Sequence, residues 1–195
     1  KMSRSKDVVA ISSKLDASDI LELAGAGGAH DPHIWFDVNL WRKTIPVIQE
    51  ELARRFPKDK ATFEKNAAVT DSLLLNLHNW IKKTVQEIPK EQRIMITAHD
   101  AFGYFGKAYE IQVHGLQGIS TVAEYGVNDV NNMVDLILEN KIRAVFVESS
   151  VPKRSIEAVV VGVNARGGNI TIGGTLYSDA MGTPGSGAED YIGMV

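Results

Sequence analysis

"RIMITAHDAFGYFGKAYEIQVHG", residues 93–115, decides the fold class. It opens on a short apolar run, "RIMIT" (93–97), passes through a helical pattern over 100–109, and closes on a second run, "IQVHG" (111–115). Strand, helix and strand in that order make a βαβ unit, because two parallel strands need a crossover connection. The alternation continues downstream. "RAVFVE" (143–148) and "NITIGG" (169–174) read as further strands, separated by helical patterns over 128–140 and 152–166. The last of these has Pro152 near its start and Gly167-Gly168 past its end, the usual asymmetry of a helix. The predicted class is therefore α/β, a parallel sheet with flanking helices.

Upstream lies the longest periodic segment, from Asp59 to Ile88. Phe63, Ala67, Leu74, Leu77, Ile81, Val85 and Ile88 are separated by combinations of three and four, so one face is apolar throughout. A helix of that length spans about 45 Å, wider than a small domain, and reads as a strut along or between lobes. Asp59 suits its N-cap and Pro89 stops it. Ahead of it, "NLWRKTIPVIQEELARRF" (39–56) reads as helix, kinked or restarted at Pro46. "DVVAIS" (7–12) reads as a short buried strand. These boundaries divide the chain into 1–57, a long helical segment 58–89, and a βα lobe 90–195.

Composition narrows the function. The 195 residues are 44% hydrophobic and 23% charged with a formal net charge of −3, and no dense Lys/Arg stripe exists to neutralise phosphates, which argues against nucleic acid as a partner. Cysteine is absent, which excludes disulfides and thiolate metal sites. No apolar run approaches the roughly 18 residues of a membrane span. The Gly/Ala loop 24–29 lacks the Lys-Ser/Thr of a phosphate-binding loop, and no G-x-S-x-G elbow marks a serine hydrolase.

Open parallel sheets bind ligands beyond the carboxyl ends of their strands. That rim receives His99 and Asp100 from the first strand, His114 and Gln117 from the second, Glu148 from the third, and Asp179 from "LYSDAMG" (176–182) after the fourth. A further cluster stands in "GAHDPHIWFDV" (28–38), where Pro32 separates His30 from His33 and so removes the helical spacing of an H-E-x-x-H protease site. Histidine and aspartate without cysteine suit Zn²⁺ or Mn²⁺. Each residue also has an ordinary reading. Asp100 fits an N-cap, Asp179 an Asx turn, His99 a hydrogen-bonded loop residue, and His114 a satisfied core histidine. Glu148 fits either an ion pair with Arg143 or Lys153 or a carboxylate that orients a ligand histidine. Trp35 and Phe36 fit packing anchors. On chemistry alone a metallohydrolase with Glu148 as general base stays open beside a metal-binding role.

"AHDPHIWFDVNLW", "ITAHDAFGYFGKAY", "GLQGISTVAE", "VFVESSVP" and "GGTLYSDAMG" together resemble the zinc- and manganese-binding solute-binding proteins of ABC transporters, the ZnuA/TroA/PsaA type. The five motifs stand in the family's order over nearly the whole chain. The resemblance implies two βα lobes joined by one long helix, with a divalent metal held in the cleft between them. By matching motif positions it implies His33, His99 and Asp179 as metal ligands and Glu148 as a nearby carboxylate that does not touch the metal; His30 and Asp100 match no ligand position. It also implies a binding protein and not an enzyme. Such a protein captures Zn²⁺ or Mn²⁺ outside the cytoplasmic membrane, in a periplasm or on a lipid anchor, and delivers it to a membrane permease; some members carry an adhesin label. Most of the family's first lobe, with the first histidine ligand, would precede "DVVAIS", and a final helix would follow "YIGMV". On that basis 1–57 is expected to be a remnant of an N-terminal lobe, and the opened lobe is expected to favour association with a second copy.

Overall fold

The computed structural model describes residues 8–23, 28–119 and 125–195. Asp7 of "DVVAIS", most of the Gly/Ala loop, and the "STVAE" end of "GLQGISTVAE" lie outside the described residues. The chain forms two compact units, Lys1–Trp80 and Ile81–Val195.

The first unit is built from short turns and helices. The expected strand at 7–12 is not one: a 3₁₀ turn occupies Ile11–Lys14, and Val8 and Val9 are 66% and 42% exposed. An apolar triplet satisfies a strand pattern, but a strand also needs a ladder partner, and these residues pair with none among the described residues. A second turn at Ala17–Asp19 is capped by Asp16, whose carboxylate accepts the Ser18 N–H at 2.9 Å. Backbone bridging of Glu22 and His30 then precedes "DPH". A 3₁₀ turn over Ile34–Phe36 delivers the chain to α1 (Val38–Arg42), capped by Asp37 through the N–H groups of Asn39 and Leu40 at 2.9 and 3.0 Å. Pro46 restarts the chain as α2 (Ile45–Arg55): it stands in the first turn, where its missing N–H forfeits no helical bond.

The long segment forms α3 (Lys60–Gln86), which at 1.5 Å per residue is about 40 Å long. The boundary between the two units falls inside it, after Trp80. In the first unit its apolar positions Leu74 and Leu77 are buried, as are Ile34, Phe36, Val38 and Leu40. Arg42 of α1 grips Asp71 of α3 with two parallel hydrogen bonds of 2.9 Å, the fork geometry that only arginine offers a carboxylate. Ile81 and Val85, buried, carry the same apolar face into the second unit.

The second unit is the α/β part. Its elements follow in the order β1 (Ile94–His99), α4 (Gly103–Tyr109), β2 (Gln112–Gln117), α5 (Val127–Asn140), β3 (Ala144–Glu148), α6 (Arg154–Ala165), β4 (Thr171–Leu176) and α7 (Tyr191–Met194). β1 pairs with β2 and β3 with β4, both in parallel. β1 and β3 lie side by side without a backbone ladder between them, so the sheet is two hydrogen-bonded pairs meeting at a seam. One core serves both pairs: Ile96, Ala98, Val145 and Val147 from the strands, Met133, Val134 and Ile137 from α5, and Ile156, Val159 and Val163 from α6. α6 packs against β1 and β3, and α5 against α6 and β2. By contrast β4 is exposed along almost its whole length.

Candidate metal centre

The seam between β1 and β3 is closed at its carboxyl end by a side chain. Successive N–H groups of a strand point to opposite sides, and at the end of β1 both directions are used. The Asp100 N–H goes to the carbonyl of Gln117, beside β2, at 3.0 Å. The His99 N–H goes the other way, to Glu148 Oε1 at 2.8 Å. The second oxygen of the same carboxylate, Oε2, lies 2.5 Å from His99 Nδ1. Glu148 and His99 are 2% and 1% exposed, so the pair sits in a medium where a charged hydrogen bond is strong.

This pairing sets the chemistry of the ring. A carboxylate only accepts, so Nδ1 carries the proton and Nε2 is left with its lone pair. Nε2 faces Asp179 Oδ2 at 3.6 Å. Burial works against the charged imidazolium, but the hydrogen bond that Nδ1–H donates to Glu148 and the charges of Glu148, Asp179 and Asp100 outweigh it and raise the His99 pKa above its ordinary value. Asp179 stands in the loop after β4 with its side chain 37% exposed.

A separation of 3.6 Å exceeds a hydrogen bond. Two ligand atoms each about 2.1 Å from one tetrahedral ion stand about 3.4 Å apart, so the Nε2 and Oδ2 positions fit two corners of a zinc-like coordination shell. The donor set fits as well: an imidazole nitrogen whose partner nitrogen is fixed, and a carboxylate oxygen.

His33 belongs to the first unit and repeats the arrangement. Its Nδ1 lies 2.7 Å from Asp31 Oδ1, and the same oxygen accepts the His33 backbone N–H at 2.9 Å. Both residues are buried, at 3% and 4% exposure. The Trp35 ring meets the imidazole edge to face with centroids 5.3 Å apart. Here too Nδ1 is held as the proton-bearing nitrogen and Nε2 is the one free of that carboxylate. Asp31 has a definite task that its position two residues before a histidine did not announce. The only signal available was the pair "DPH" itself, in which Pro32 bends the chain so that the carboxylate turns back onto the next residue.

The other candidates are elsewhere. His30 is exposed and contributes its backbone to the bridge with Glu22. His114, half-buried on β2, and Asp100 line a cavity of about 450 Å³ with Asp129 and Asn132. A larger cavity in the first unit, about 680 Å³, is lined by Ile11, Leu15, Ile20, Ile34, Trp35 and Trp41 together with His30 and Asp31, and His33 is not part of it. Glu148 as the general base of a hydrolase does not fit. Both of its oxygens are turned onto His99, and the residue is sealed from solvent. No helix among the described residues is long and apolar enough to cross a membrane.

Comparison with known proteins places these observations in a lineage. The family profile described as "Zinc-uptake complex component A periplasmic" (ZnuA) matches residues 1–195. The chain is 42% identical over 194 residues to the manganese-binding lipoprotein MntA of Bacillus subtilis, covering all of this chain and 63% of that protein. It is 40% identical over 195 residues to the zinc-binding protein TroA of Treponema pallidum, again covering 63% of the relative. Among solved structures, the periplasmic zinc-binding protein TroA from Treponema pallidum superimposes with a TM-score of 0.93 at 39% identity, over 98% of this chain and 68% of that one. The chain thus spans somewhat less than two thirds of the curated relatives it matches.

Proposed function

Because the chain belongs to the ZnuA family of periplasmic zinc-uptake components, we propose that it binds Zn²⁺ or Mn²⁺ as cargo through His33, His99 and Asp179 and hands the ion to the membrane permease of an ABC transporter. The observation that carries this reading is the 3.6 Å spacing of His99 Nε2 and Asp179 Oδ2 beside a carboxylate that fixes the histidine tautomer. The matched Asp31–His33 pair in the first unit supports His33 as the third donor. The relatives' names, one manganese-binding and one zinc-binding, support both ions as cargo, and "lipoprotein" and "periplasmic" support a site outside the cytoplasmic membrane.

The protein binds and releases; it performs no bond chemistry. Neutral imidazoles and one carboxylate give a site of moderate hardness, which accepts zinc readily and tolerates manganese. Isothermal titration with Zn²⁺ and with Mn²⁺, on the protein and on His33→Ala and Asp179→Ala, tests the assignment. Both variants are expected to lose affinity for both ions, and unchanged affinity in both overturns it. Val69, Leu73 and Trp80 form one exposed stripe on α3 at 52%, 49% and 62% exposure, which supports self-association; sedimentation at two protein concentrations tests that part.

A further inference from the structure

Asp179 is the least sheltered of the three donors, and its loop follows the most exposed strand of the sheet. A carboxylate on such a loop needs something to hold it at coordination distance. The loop after β4 is fastened to the loop after β3 at two successive levels. First, the Ser149 N–H donates to the Leu176 carbonyl at 2.9 Å, which extends the β3–β4 ladder one residue past its end. Then the hydroxyls of Ser150 and Ser178 meet at 2.6 Å. Ser178 is 1% exposed and immediately precedes Asp179, whereas Ser150 is exposed. The β3 loop is itself anchored, with Val151 in the core and Ser155 Oγ donating to the Pro152 carbonyl at 3.2 Å.

We infer that the Ser150–Ser178 hydroxyl pair is a clamp that positions the Asp179 carboxylate against His99, so that two residues that touch no metal set the affinity of the site. The inference rests on Asp179 being a metal ligand. Its logic is geometric. Glu148 ends β3 and holds His99; Ser150 stands two residues further along the chain, in the loop after β3, and holds the residue before Asp179. The end of β3 and the loop that follows it thereby orient both donors of the second unit.

The test is titration of the intact protein with Zn²⁺, and separately with Co²⁺, whose visible absorption reports the geometry of the coordination shell. Ser150→Ala and Ser178→Ala are each expected to weaken Zn²⁺ binding about tenfold, as loss of a group that orients a ligand does, and to alter the Co²⁺ spectrum. The double variant is expected to lose no more than either single one, because both remove the same bond. Ser150→Thr, which keeps the hydroxyl at an exposed position, is expected to restore affinity and spectrum. Wild-type affinity and spectrum in Ser150→Ala, or losses that add in the double variant, overturn the clamp. Asp179→Asn in the same titration separates the two readings. If it loses affinity while Ser150→Ala does not, the clamp alone fails. If it binds as the wild type does, Asp179 is not a ligand, and the clamp falls together with Asp179's place in the proposed site.

Discussion

Glu148 holds His99 twice, by its backbone N–H at 2.8 Å and by its ring Nδ1 at 2.5 Å. One buried carboxylate thus joins two strands that share no ladder and also chooses which ring nitrogen keeps its lone pair. The two tasks can be separated by mutation. In Glu148→Gln the amide oxygen must stay on the His99 N–H, which turns the amide NH₂ toward Nδ1. The ring proton then moves to Nε2, and the lone pair that faces Asp179 is lost. Glu148→Gln is expected to lower metal affinity by about 10–100-fold while the fold survives. Glu148→Ala strips the buried N–H of its acceptor as well and is expected to lower stability by about 1–3 kcal/mol. Calorimetric titration and urea unfolding of the two variants check the split.

Asp31 does the corresponding work for His33 with a single oxygen, Oδ1. Asp31→Asn keeps a carbonyl oxygen in that place, so the tautomer is retained and only the charge of the acceptor is lost. Its effect on metal affinity is expected to be smaller than that of Glu148→Gln, and Asp31→Ala is expected to cost about 10–100-fold. Equal losses in Asp31→Asn and Glu148→Gln would contradict the tautomer explanation.

With His99 as a ligand of the proposed site, its raised pKa is expected to give the stability of the metal-free protein and its metal affinity opposite pH dependences. A group whose folded pKa lies above its unfolded value stabilises the metal-free fold fully below the unfolded pKa, about 6.5 for histidine, and this contribution is lost as pH rises through the folded value. Metal binding displaces the proton, so affinity falls on acidification by up to about tenfold per pH unit below the folded pKa. Metal-free melting temperature attributable to His99 is expected to drop as pH rises through that window, while the dissociation constant for Zn²⁺ falls. Melting curves and titrations on the wild type and on His99→Gln check both signs.

Gly115 is a packing requirement of the site. A Cβ there would stand 2.5 Å from the Asp100 nitrogen and 2.6 Å from the His99 carbonyl carbon. Both are backbone atoms and cannot swing aside. Gly115→Ala is expected to cost about 1–3 kcal/mol and to displace the end of β1, weakening metal binding with it. Urea unfolding of the metal-free protein and zinc titration measure the two effects.

Much of this was legible in residue order. The βαβ pattern of 93–115 appears as β1, α4 and β2, and the periodic stretch before it as α3. Strand ends also offered His99, Glu148 and Asp179 as candidates, because ligands gather at carboxyl ends of parallel strands, and the three side chains do stand next to one another. What residue order concealed is pairwise. The strand expected at 7–12 has no ladder partner among the described residues, the β1–β3 seam follows from a side chain taking a backbone donor, and Asp31 and Ser150 act through atoms whose direction no periodicity records. Periodicity reports which face is apolar; it does not report who accepts a given proton.

The seam has a spectroscopic consequence. Because the amide and the imidazole of His99 share one carboxylate, any event at Nε2 reaches the amide through Glu148 within a single residue's hydrogen bonds. The backbone ¹⁵N–¹H signal of His99 is therefore a reporter built into the chain, fit to follow arrival and departure of an ion without a dye, a label or a chromophoric metal.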